Sequence, residues 1–232
     1  MAADVDGWRG APVALGRPAL LRRWARLAAA GGAAGTAVEA AGRDVLTRYD
    51  EAGRAYHTVE HVGEVVGALE WLCSPDEVAP PVEFAAWFHD AVYDPRAAPG
   101  ENEQASAEYA SDVLGPLGIP PVVIAEAGRL ILTTTTHAVD ASDRHGAVLA
   151  DADLWILGAP APRYRRYADA VRREYAFVSD ADWLTGRSAL VSAFALRGRL
   201  YVTDRAHLAL DAAARRNLAW ELAALGGGEA QA

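Results

Sequence analysis

The stretch AAWFHDAVYD, residues 85–94, sets His89 beside Asp90 inside an apolar segment that reads as a helix. An ionised Asp next to Trp87 and Phe88 is costly to bury unless it is paired or bound to a metal. Neighbouring helical side chains point about 100° apart, so both can serve one ion only from the edge between them. Upstream, YHTVEHVGEVV, residues 56–66, carries His57 and His61 four apart. A helix starting near Thr58 puts His57 at its mouth and His61 in its first turns, both able to face one cleft. Downstream, VLADADLWILG, residues 148–158, interrupts an apolar run with Asp151 and Asp153. Either aspartate can also be read as a helix cap, Asp151 more readily than Asp153.

Outward from these segments the chain is helical in pattern. Apolar residues recur at spacings of three and four in PALLRRWARLAAA, TAVEAAGRDVLTRYD, VEHVGEVVGALEWL, VEFAAWFHDAVY and the segments that follow them, to AHLALDAAARRNLAWELAAL. Pro80-Pro81 and Pro120-Pro121 suit helix starts, where a missing N–H costs nothing. Strand signals are confined to TTTTHAV, residues 133–139, and RLYVT, residues 199–203. The expected fold is all-α, a helical bundle of about nine or ten helices. An irregular lead-in is expected over 1–17, one helical domain over 18–225, and a flexible tail over 226–232.

Composition narrows the function classes. Hydrophobic residues make up 52% of 232, enough for a sizeable core. No long uncharged apolar run implies a membrane span, and the opening MAADVDGWRG has no signal-peptide pattern. Cys73 is the only cysteine, so an internal disulfide is excluded and a reducing cytoplasm is the expected location. A formal charge of −9 argues against duplex nucleic acid as partner. It leaves room for a small phosphate ester held by a metal and a few arginines. Arg54, Arg172, Arg173, Arg197 and Arg199 are candidates for that, although most arginines lie on solvated helix faces. Oligomeric state is open, with a homodimer among the options.

Two imidazoles and two carboxylates suit Mn²⁺, Mg²⁺, Fe²⁺, Co²⁺ or Zn²⁺ with positions left for water. The order H…HD…D resembles the HD superfamily of metal-dependent phosphohydrolases, over residues from about 45 to 158. In that family an apolar residue follows the first His by four positions, here Val65 after His61. The whole chain, including YRRYADAVRREY and RRNLAWE, is similar to a bacterial group of predicted HD phosphohydrolases. YHTVEHVGEV also resembles the YHNxxHAxDV segment of cyclic-nucleotide phosphodiesterases.

The resemblance implies a metal-binding core at about 45–158 followed by C-terminal helices over 160–225. It implies His61, His89, Asp90 and Asp153 as metal ligands and His57 as the proton donor to the leaving oxygen. Asp153 takes the last place because the ADL run matches the ADRL run of stringent-response nucleotide hydrolases; Asp151 is a further candidate. In dinuclear relatives, histidines between the HD pair and the last Asp bind a second metal, which makes His137, and less so His145, candidates. Glu103, in ENEQASAEYA, is either an acid near the metal's water or a helix N-terminal charge favoured by the dipole. The implied activity is hydrolysis of a phosphomonoester or phosphodiester, on a nucleotide-like substrate, with Asp90 or Asp153 orienting water. The alternatives are a di-iron HD oxygenase and a non-catalytic regulatory protein that binds a nucleotide. The nucleobase-clamping features of the relatives are not found, so the resemblance carries no substrate.

Overall fold

In a computed structural model, described for residues 12–33, 35–73, 77–140 and 142–226, the chain is all-helical. Ten α-helices are present among the described residues, with no strand. The β-prone runs at 133–139 and 199–203 are instead the end of a helix with its following turn, and loop. No helix among the described residues is long and apolar enough to cross a membrane. Most of the lead-in and the tail at 227–232 lie outside the described residues. The chain falls into two compact units, residues 1–153 and 154–232, and the first contains nearly all of the expected metal core.

The first unit is built around α3 (Val59–Leu72) and α4 (Pro80–Phe88). Every residue of α3 from His61 to Leu69 is buried, His61 and Glu64 included, so the helix is enclosed on all sides along this stretch. α4 begins at Pro80, as the paired prolines predict, and is buried from Val82 onward. Around them stand α1 (Arg17–Ala30), α2 (Thr36–Arg48), α5 (Glu101–Leu114), α6 (Pro121–Thr133) and α7 (Arg144–Asp153). α4 packs against α5, α6 and α7, and α3 against α7.

Trp24 of α1 joins this core to α4. Its ring meets Phe84, Trp87 and Phe88 edge-on at centroid distances of 5.8, 5.2 and 5.9 Å. Each such pair adds about 0.5–1.5 kcal/mol beyond area burial. Next to Trp24 in sequence, the buried Arg23 guanidinium donates to both carboxylate oxygens of Glu83, at 2.6 and 2.9 Å, and to Glu70 at 2.7 Å. Burial pushes the Glu83 carboxyl up from its usual value, against the opposing pull of Arg23. The floor beneath the HD segment is therefore fixed by aromatic packing and one paired buried charge.

The segment before α1 lies against two glycines of α3. The Leu15 amide donates to the Gly63 carbonyl at 3.0 Å. A Cβ on Gly63 would run into the Leu15 carbonyl oxygen, and one on Gly67 into that of Val13. Ala ordinarily gains about 1 kcal/mol over Gly inside a helix. Here the obstacle is backbone, and overpacking of this kind costs about 1–3 kcal/mol. Gly63→Ala is thus expected to lower the urea midpoint of unfolding rather than raise it; a stabilised variant would show that residues 13–15 do not hold this position.

The second unit comprises a short 3₁₀ turn (Leu154–Gly158), α8 (Ala161–Glu174), α9 (Asp180–Ala195) and α10 (Asp204–Gly226). Asn217 donates to the carbonyls of Leu157 and Ala159, both at 2.8 Å, closing the end of the 3₁₀ turn. Inside it, the buried Arg187 and Tyr164 converge on the Glu221 carboxylate at 2.7 and 2.5 Å. Arg172, one of the candidate phosphate ligands, donates instead to the carbonyls of Tyr175 and Val178 and to Asp180.

Candidate metal centre

Three segments of the first unit bring the predicted residues together. α3 starts at Val59 with Thr58 at its N-cap position, so His57 stands at the helix mouth and His61 in the first turn, as the spacing predicts. The HD pair differs from expectation. The sequence reads His89 and Asp90 as lying inside a helix, but α4 ends at Phe88. The His89 amide makes the last helical bond, to Ala85, and the Ala91 amide turns back to Phe88. His89 itself keeps helical dihedrals, φ −54° and ψ −34°, so the pair reaches the cluster from the edge of this last turn. Asp153 is the last residue of α7, whose start is capped by Asp143, whose side chain accepts from the Gly146 amide at 2.9 Å.

His61 Nε2 and His89 Nε2 face each other at 2.9 Å. Asp90 Oδ2 lies 3.3 Å from the first and 3.1 Å from the second. Asp153 Oδ1 lies 3.3 and 3.5 Å from the same two nitrogens. His61, His89 and Asp90 each offer one ligand atom within 4.8 Å of the others, a group able to hold a metal ion. Both imidazoles are buried, while the Asp90 and Asp153 side chains keep 18% and 12% of their exposure. Asp90 is therefore partly reached by solvent and not, as its apolar neighbours suggest, sealed in the core.

The donor chemistry fits a divalent cation. The Ala86 carbonyl only accepts, so the His89 Nδ1 at 3.0 Å from it carries a proton, and the neutral ring turns its Nε2 lone pair toward the cluster. His61 Nδ1 has no partner among the described residues, so the cluster at Nε2 sets this ring's role. Ligands at about 2.0–2.2 Å from one ion stand about 2.8–3.6 Å apart, for octahedral through tetrahedral arrangements. The observed separations fall in that window. Without a cation, a proton fills the same need. Burial alone would lower the His89 pKa, yet Asp90 and Asp153 outweigh it and hold it well above its ordinary value. His61 is raised in the same way against its own burial, by hydrogen bonds that it donates to Asp153 and Asp90. Burial pushes both aspartates up, but the imidazoles, His89 first, hold them well below the usual carboxylate range.

The other predicted residues fall at graded distances. His57 Nε2 is 3.9 Å from Asp90 Oδ2, and its ring meets that of His61 edge-on at 5.7 Å. His57 thus borders the cluster through Asp90. His137 Nε2 contacts Asp153 Oδ2 at 2.7 Å, on the oxygen turned away from the imidazole pair. His137 sits at φ 51°, the one non-glycine left-handed residue among those described. Such a conformation costs about 1–3 kcal/mol and marks a place where the surroundings dictate the backbone. Asp151 is buried on α7, and Asp153 is the acid of that segment that both imidazoles touch. Glu103 stands half-buried in the first turn of α5 with no hydrogen bond or ion pair among the described residues. Its place matches the helix-dipole reading. His145 lies at the surface, 3.1 Å from Glu126, which also pairs with Arg129.

Arg54, one of five arginines that the sequence offers as phosphate candidates, is engaged elsewhere, and Tyr93 escapes sequence reasoning. Arg54, whose side chain is only 3% exposed, donates to the carbonyls of His57 (3.1 Å), Asp90 (2.7 Å) and Ala91 (3.0 Å). A guanidinium so engaged holds backbone, not phosphate. Tyr93 covers the His57 ring at a tilt of 32°, with centroids 4.1 Å apart. The loop bearing it is pinned to α5. The Val92 amide donates to Ser106 Oγ, and Asp94 exchanges two bonds with Asn102. In comparisons with known proteins, no family model and no curated protein matches the chain.

Proposed function

We propose that the protein is a metal-dependent hydrolase of a phosphomonoester or phosphodiester, with a nucleotide-like substrate. The observation that carries this reading is the convergence of His61, His89, Asp90 and Asp153 with His57 at the rim. The resemblance of the H…HD…D order to HD phosphohydrolases supports it. His61, His89, Asp90 and Asp153 would hold the ion, and a divalent cation bound there acidifies water and offsets phosphoryl charge. Asp90, partly reached by solvent and beside His57, orients the attacking water, whose proton passes to solvent. The new oxygen–phosphorus bond forms as the leaving oxygen departs, and that oxygen takes a proton from His57. His137, on the outer oxygen of Asp153, fixes that carboxylate's orientation.

The di-iron alternative asks for about six protein ligands, and His145 is engaged at Glu126 instead. The deciding experiment is phosphate release from a panel of nucleotides and simple esters with Mn²⁺, Mg²⁺ and Co²⁺ in turn. Release that requires one of these ions and is lost in Asp90→Ala is the expected result. Silence across the panel, in protein shown to bind the ion, would favour the non-catalytic reading.

A further inference from the structure

We propose that Arg54 and Tyr93 form a clamp that sets the His57 ring at a fixed distance from the ligand cluster, and that both are positioning residues. This rests on the reading of His57 as proton donor. One guanidinium nitrogen of Arg54 bridges the carbonyls of His57 and Asp90, at 3.1 and 2.7 Å. The other nitrogen reaches Ala91, at 3.0 Å. A single planar fork thus ties the start of α3 to the turn after α4, reaching from Arg54 to a carbonyl 36 residues on in sequence. The fork is charged and almost wholly enclosed, so its bonds to carbonyls are of the stronger, charge-assisted kind.

Tyr93 completes the clamp from the side. Its ring covers the His57 imidazole at 4.1 Å and 32°, while the Arg54 guanidinium stands 5.5 Å from the same ring. The order Arg54, Tyr93, His57 restrains the imidazole through its backbone and through one face. A proton donor gains most from such restraint, because a displacement near 1 Å costs about a hundredfold in rate. A lysine could not replace the fork, since its point charge does not present paired donors at fixed angles.

The test uses Tyr93→Leu, Tyr93→Phe and Arg54→Met in the full chain, with two readouts. In metal-free protein with labelled histidine, the His57 ring protons, assigned through His57→Gln, should lie upfield because they sit over Tyr93. Tyr93→Leu should move them downfield and Tyr93→Phe should leave them in place. With Mn²⁺, Tyr93→Leu should lower kcat on a nucleoside monophosphate about tenfold to a hundredfold. KM and Mn²⁺ affinity should hold, the loss should be smaller on nitrophenyl phosphate, and Tyr93→Phe should rescue. Arg54→Met, if it folds, should show the same pattern. The clamp is refuted if His57 resonances ignore Tyr93→Leu, if both esters slow equally, or if Mn²⁺ binding is lost with activity. If the wild type hydrolyses no ester, the proposed function falls, and the resonances alone decide the clamp.

Discussion

Mn²⁺ added at a hundred times its dissociation constant is expected to stabilise the protein by about 2.7 kcal/mol, for binding to the folded chain alone. For a unit of this size that is a rise of roughly 5–10 °C in the unfolding midpoint. His61→Ala, His89→Ala and Asp90→Asn should each remove this rise, because the first two delete a ligand atom, and the third its negative charge, from a group held within 4.8 Å. Asp151→Asn discriminates the two acids of α7. It should leave the rise in place, whereas Asp153→Asn should diminish it, because Asp153 is the acid 3.3 and 3.5 Å from the two imidazole nitrogens. Scanning calorimetry with and without the ion makes the measurement. A rise that survives His61→Ala would place the binding site elsewhere.

His57→Ala is expected to behave differently from every ligand variant. Its ring nitrogen is 3.9 Å from Asp90 and stands at the mouth of α3. Removing it should leave the Mn²⁺-induced rise intact and cut turnover on a nucleoside monophosphate by about 10²–10⁴-fold. The deficit should shrink on nitrophenyl phosphate, whose leaving oxygen needs little help from a proton. Metal content by mass spectrometry beside rates on the two esters checks both parts. Loss of metal equal to that of His61→Ala would make His57 a ligand.

The helices were legible because their apolar spacing and paired prolines carry local information. The end of α4 was not, because hydropathy continues through Ala91 and Val92 and does not distinguish a last helical turn from a tight bend. TTTTHAV reads as β-prone from local propensity, yet Thr133 ends α6 and its carbonyl accepts from the His137 amide at 3.0 Å. The polar donors stood out against apolar neighbours, so their convergence could be anticipated. Arg54 and Tyr93 could not be placed in the same way. Their tasks depend on which carbonyl and which ring lie within a few ångströms, and spacing along the chain holds no trace of that. His137 belongs to the same class. Its loop position suggests a ligand or a surface residue, while its contact at the outer oxygen of Asp153 is a third option.

The ligand atoms come from distant stretches of chain: His61 and His89 are 28 residues apart, and Asp153 closes a separate helix. A half-folded chain therefore offers an ion no complete grip. Any free energy of binding would enter only after α3, α4 and α7 have met. An interaction formed after the folding barrier acts on the rate of escape and hardly on the rate of arrival. The ion would then lengthen the lifetime of the folded first unit while leaving the speed of its assembly almost untouched.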